Sequence, residues 1–76
     1  MPHVEIKCYP GRSEEQKKLL AQKIAGDIVE CFGAAEGSIS IDIQEVPQEQ
    51  WNDTVWDKDI EPRMDLLYKK PRYTRT

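Results

Sequence analysis

The run His3-Val4-Glu5-Ile6-Lys7-Cys8-Tyr9-Pro10-Gly11-Arg12-Ser13-Glu14-Glu15-Gln16 decides the fold. Its opening residues alternate. Val4, Ile6 and Cys8 share one face, and His3, Glu5, Lys7 and Tyr9 share the other, which is the period of a half-buried strand. Pro10-Gly11 ends that strand, because a fixed proline φ followed by an unrestricted glycine favours a turn. Ser13 and Gln16 then stand in capping-box spacing, each side chain able to satisfy the other's free amide. Glu14 and Glu15 suit the positive end of the helix dipole. The chain thus changes from a period of two to a period of 3.6 within one turn.

Working outward, the helix is expected to reach Phe32, with Gly33 adopting a left-handed conformation at its end. Leu20, Ala21, Ile24, Ala25, Ile28, Cys31 and Phe32 fall on one stripe of it. Leu19 and Gly26 lie on the outer side, open to a partner surface. Ser38–Val46 reads as a second strand, with Ile39, Ile41 and Ile43 inward and Ser40, Asp42 and Gln44 outward. Strand, helix and strand make an α/β unit of β-α-β type with parallel strands and a right-handed crossover. Two strands alone are unstable in water, so another subunit is expected to extend the sheet. Beyond Pro47, Gln48–Trp56 reads as a short helix. Asp59 is placed to cap a second one, with Pro62 in its first turn and Pro71 as its stop. The whole of 1–76 reads as a single domain.

Composition narrows the function classes. The chain has 76 residues, of which 38% are hydrophobic, a core at the lower edge for a monomer. Eleven Lys+Arg against fourteen Asp+Glu give a net charge of -3, which argues against a nucleic-acid partner. No apolar run approaches ~18 residues, so no transmembrane helix is expected, and Met1–Tyr9 lacks a signal-peptide core. A cytoplasmic location is the expectation. Cys8, Cys31 and the single histidine, His3, do not make up a zinc site, so no metal is expected. Both cysteines read as small core residues, and His3 as an exposed strand histidine. The tail after Asp65 holds Lys69, Lys70, Arg72 and Arg75 without an acid. Lys69 and Lys70 follow an apolar helix end and are expected to stay near the body, unlike Arg75.

Position 2 carries the chemistry. A small second residue permits removal of Met1, which leaves Pro2 as a secondary amine. An α-amino group titrates at roughly 7.7–8.0, and desolvation or nearby cations lower that value. A rigid amine so poised is a general base without any acidic side chain.

Pro2 opens the strand, and Gly11-Arg12-Ser13-Glu14-Glu15-Gln16-Lys17 follows it. Together with Ser38-Ile39-Ser40-Ile41 and Trp51, this resembles the 4-oxalocrotonate tautomerase family. Pro2-His3-Val4-x-Ile6-Lys7-Cys8, Trp56-Asp57, Ile60-x-Pro62-x-Met64 and Lys69-Lys70-Pro71-x-Tyr73 resemble its dimeric phenylpyruvate tautomerase branch. The resemblance implies a tautomerase-like fold completed to a four-stranded sheet by dimerisation, with short C-terminal helices. It also implies an isomerase without cofactor that interconverts enol and keto forms of 2-oxo acids. By the same resemblance Pro2 takes the enol hydroxyl proton and delivers a proton to carbon 3. Arg12 holds the carboxylate, Trp51 packs on an aryl group, and Ser40 and Lys69 complete the substrate contacts. Hexameric members carry a second arginine where this chain has Ser40, which points to an aryl monoacid such as phenylenolpyruvate and to a homodimer. Two other readings stay open: a proline-dependent hydratase or dehalogenase of unsaturated acids, and a catalytically silent dimeric interaction module.

Overall fold

In a computed structural model that describes residues 1–75, both halves of the capping box form. Ser13 Oγ accepts the Gln16 amide at 3.1 Å, and Gln16 Oε1 accepts the Ser13 amide at 2.8 Å. The helix that follows, α1, runs Glu14–Phe32 and ends on Gly33 at φ 69°, whose N–H donates to the Val29 carbonyl. Both ends are therefore those the sequence indicates. Thr76, the last residue of the expected domain, lies outside the described residues.

Strand β1, His3–Cys8, pairs in parallel with β2, Ser40–Glu45. The register sets His3 opposite Ser40, Ile6 opposite Ile43 and Cys8 opposite Glu45. One sheet face therefore carries Val4, Ile6, Ile41 and Ile43, and the other carries His3, Glu5, Lys7, Ser40, Asp42 and Gln44. The second strand starts later than expected. A 3₁₀ turn, Glu36–Ser38, takes up the first residue of the expected strand, Ser38, and Ile39 caps that turn; the Ser38 hydroxyl donates to the Ala35 carbonyl at 2.7 Å.

The chain forms two compact units, Met1–Glu45 and the residues from Val46 onward. In the first unit α1 contributes no buried residue. Ala21, Ile24, Ala25 and Ile28 are half-buried, as the stripe predicts, but Leu20, Cys31 and Phe32 are exposed, Phe32 at 77%. Lys17 replaces them in the half-buried set. Its ammonium binds Glu14 at 2.8 Å and Glu45 at 3.4 Å, and its aliphatic stem lies along the sheet-facing side. That contact to Glu45 ties α1 to the end of β2.

The second unit contains one continuous helical run, 48–66, that changes gauge. A 3₁₀ turn at Gln48–Gln50 leads into a π-helix, Asn52–Ile60, and then a 3₁₀ segment, Glu61–Leu66. Asp59 sits inside this run instead of capping a new helix, because the wider π ladder carries straight into the next turn: the Glu61 amide donates to the Trp56 carbonyl, five residues back. The helix ends at Leu66, with Leu67 extended, before the expected stop at Pro71. Val55 and Trp56, both 4% exposed, form the buried apolar set of the described residues together with Val46. No helix of the described residues is long and apolar enough to cross a membrane.

Removing the reciprocal cap tests the helix start. Ser13→Ala is expected to lower unfolding free energy by about 1 kcal/mol, seen as a lower urea midpoint at unchanged slope.

Candidate active site

The β1–β2 register collects one group of candidate residues at the amino end of the sheet. The Ser40 amide donates to the Pro2 carbonyl at 3.2 Å, which pins the half-buried Pro2 at the entrance of β1. Met1 before it is fully exposed at 103%. Opposite Ser40, His3 places Nδ1 2.6 Å from the Ser40 hydroxyl. Its Nε2 lies 3.7 Å from Glu5 Oε1. Pro2, His3, Glu5 and Ser40 thus form one contiguous constellation.

Arg12 lies at the other end. It follows β1, and its Nη1 donates to the Tyr9 carbonyl at 3.3 Å. There it borders a cavity of about 210 Å³ with Ile6, Cys8, Gln16, Lys17, Leu20 and Ile43. The Gly11 amide and the Lys17 ammonium both meet the Glu45 carboxylate, at 3.4 Å each. Lys17 is raised above its ordinary value, first by its bond to Glu14 and then by Glu45; Glu14 is correspondingly lowered by Lys17. A strand of six residues at ~3.3 Å per residue spans roughly 20 Å. Within one chain Pro2 and Arg12 are therefore held apart, whereas Pro2 and Ser40 are held together.

Trp51 and Lys69 belong to the second unit. Trp51 Nε1 donates to Tyr73 Oη at 3.1 Å. The Tyr73 ring also stacks on buried Trp56, with centroids 5.2 Å apart and planes tilted by 50°. Trp56 Nε1 in turn donates to Glu61 Oε2 at 2.9 Å. Residues 51, 56 and 61 are five apart. In an α-helix that spacing would splay them by about 140°; the i→i+5 ladder of the π-helix brings them to one side. Lys69 borders an open cleft of about 450 Å³ with Ile60, Leu67, Pro71, Arg72 and Tyr73.

The tail departs from expectation at Arg75. Its guanidinium grips Asp57 through two bonds, at 2.9 and 3.2 Å, and approaches Asp53 at 3.6 Å. The expectation that Arg75 is untethered is thus corrected. The two carboxylates lie one turn apart on the helix, and a guanidinium is a planar fork matched to them. Tyr73 was not legible as an anchor because its partners, Trp51 and Trp56, follow a five-residue spacing, and Arg75 was not because its partners, Asp53 and Asp57, lie far from it in sequence. His3 was visible in the sequence but had no assigned partner without the strand register.

The model of the family described as "Tautomerase enzyme" matches residues 2–52. The protein named Tautomerase PptA of Enterobacter sp. (strain 638) is 45% identical over 97% of this chain and 99% of its own. That of Shigella sonnei (strain Ss046) is 43% identical over the same shares. The chain belongs to the tautomerase family. Solved tautomerase structures agree. A heterohexamer 4-oxalocrotonate tautomerase from Chloroflexus aurantiacus J-10-fl aligns with a TM-score of 0.64 at 33% identity, covering 67% of this chain and 82% of that one. YwhB, a homologue of 4-oxalocrotonate tautomerase, also gives 0.64 at 33% identity, covering 79% and 100%. This tautomerase is accordingly an isomerase of keto and enol groups, with a β-α-β tautomerase fold and a short C-terminal helical segment.

The Arg75 guanidinium holds the Asp57 carboxyl below its ordinary value of 3.8. A lowered carboxyl stabilises the folded tail above its unfolded value, and that contribution is lost as pH falls through the lowered one. Tryptophan emission is therefore expected to stay constant from neutral pH to about pH 4 and to change below it as the tail releases Tyr73. Asp57→Asn is expected to show the released emission already at neutral pH.

Proposed function

We propose that this tautomerase is a cytoplasmic homodimer that interconverts the enol and keto forms of aryl 2-oxo acids, with Pro2 as general base. The observation that carries the reading is the position of Pro2: half-buried at the entrance of β1, its carbonyl bonded to Ser40. Met1, fully exposed, is removed in the active form, which turns the Pro2 nitrogen from an amide into a basic amine. The near full-length similarity to proteins named Tautomerase PptA supports one functional domain over 1–76.

In the reaction, the Pro2 amine takes the proton of the enol hydroxyl and returns a proton to carbon 3, leaving a carbonyl at carbon 2. A guanidinium offers the carboxylate a two-pronged donor set, the role of Arg12. Because Pro2 and Arg12 stand at opposite ends of β1, the arginine that serves a given Pro2 is Arg12 of the partner subunit. A two-fold axis supports this: strands paired across it run antiparallel, so the start of one β1 lies beside the end of the other. Such pairing also makes a four-stranded sheet and gives cover to apolar side chains of α1 such as Leu19 and Phe32, now 53% and 77% exposed. Trp51 supplies an apolar wall for the aryl group, and Lys69 a cation for its polar end. Ser40 is uncharged and offers no cation to a second carboxylate, which favours a monoacid.

Turnover of phenylenolpyruvate, 2-hydroxymuconate and a 3-haloacrylate tests the reading. The monoacid enol is expected to be the best substrate. Protein retaining Met1 is expected to be inactive, because an amide nitrogen is no base. Pro2→Ala, a flexible primary amine, keeps reduced activity. Arg12→Ala is expected to lower kcat/KM about ten- to a hundredfold, the worth of a hydrogen bond to a charged group. Equal activity with and without Met1 overturns the role of Pro2. Preference for the haloacrylate turns the assignment to hydration, and preference for the diacid refutes the reading of Ser40.

A further inference from the structure

We propose that His3 and Ser40 act as one unit that binds the carbon-2 oxygen of the substrate, Ser40 as the contacting residue and His3 as its positioning residue. The inference rests on Pro2 as the proton-transferring group. The two side chains stand 2.6 Å apart on paired strands. Ser40 is also bonded through its amide to the Pro2 carbonyl, so its hydroxyl lies next to the residue that moves the proton.

The chemistry of the pair fits an oxygen that changes character. During tautomerisation the carbon-2 oxygen is a hydroxyl on one side of the reaction and a carbonyl on the other. With a proton on Nδ1, the His3 ring donates to Ser40 Oγ, which leaves the Ser40 hydroxyl proton free to point at the carbon-2 oxygen. That oxygen keeps a lone pair throughout. As an enol it accepts from Ser40 while its own proton goes to Pro2, and as the carbonyl forms it accepts the same bond more strongly. No bond to carbon forms or breaks at Ser40 and no proton leaves it; Pro2 alone carries the proton to carbon 3. A hydrogen bond that must follow a developing charge acts on kcat more than on substrate binding.

The experiment is steady-state ketonisation of phenylenolpyruvate by the Met1-processed enzyme, with variants at both positions. Ser40→Ala is expected to lower kcat about tenfold or more with KM within twofold of wild type. His3→Phe is expected to give the same loss, and the double variant no more than either alone. His3→Asn, whose amide reaches the Nδ1 position, is expected to recover most of the loss, and Ser40→Thr to keep the hydroxyl's effect. Circular dichroism of each variant separates misfolding from lost chemistry. Unchanged kcat in Ser40→Ala, or losses that multiply in the double variant, overturns the proposal while leaving Pro2 as base intact. Equal activity of Met1-retaining and processed enzyme overturns the role of Pro2 and this proposal with it, whatever the Ser40 variants show.

Discussion

A parallel pair of strands leaves two unpaired edges, and a single helix covers only one of its faces; the rest of the molecule answers to that shortfall. The helix α1 is 19 residues long and buries none of them fully. Each large apolar side chain taken from water contributes about 1.5–3 kcal/mol, so Leu19, Leu20 and Phe32 hold a stabilising potential that one copy leaves unused. The uncovered sheet face is different in kind. It carries His3, Glu5, Lys7, Ser40, Asp42 and Gln44, and its polar groups meet each other: Gln44 Nε2 donates to Asp42 Oδ2 at 2.6 Å, and His3 meets Ser40 at the same distance. That face is chemically at home in water. Growth by edge pairing, which satisfies backbone amides and covers α1, therefore fits this sheet better than stacking a second sheet upon it.

The first unit was legible because short-range chemistry governs it. Ser13 and Gln16 satisfy each other's amides three residues apart, and Gly33 takes a conformation that costs other residues more. The strands alternate as written, and only their ends moved. The second unit was less legible for a definable reason. Every helical expectation there assumed 3.6 residues per turn, whereas Asn52–Ile60 is wound as a π-helix. That choice trades backbone geometry for side-chain contacts: Trp51 and Trp56 both reach Tyr73, and Trp56 reaches Glu61. A five-residue recurrence of tryptophan, tryptophan and glutamate was the available signal. It gains meaning only with a tail that returns to the helix.

Of the candidate site, Pro2 and Ser40 were readable as separate residues, and the register joins them. His3 illustrates what sequence alone withholds. Alternation gives its face but not its neighbour across the strands, because parallel register depends on how α1 returns the chain. One residue of slip would set His3 against Ile39 or Ile41, and the imidazole would have no hydroxyl to meet. The outward chemistry of the sheet thus depends on a crossover closed by Lys17 and Glu45 at its far end.

That dependence links assembly to catalysis. A strand of six residues separates the amine from the arginine by more than any arginine side chain can bridge, so a single copy cannot bring both to one small substrate. Lengthening the chain to fold Arg12 back would break the turn that starts α1. On the proposed reading, pairing two copies across a two-fold axis solves the separation without altering either strand, and does so twice, once at each end of a shared sheet. The sheet edge that one copy leaves unpaired is then the surface that completes its site. Each copy then supplies the base for one site and the arginine for the other.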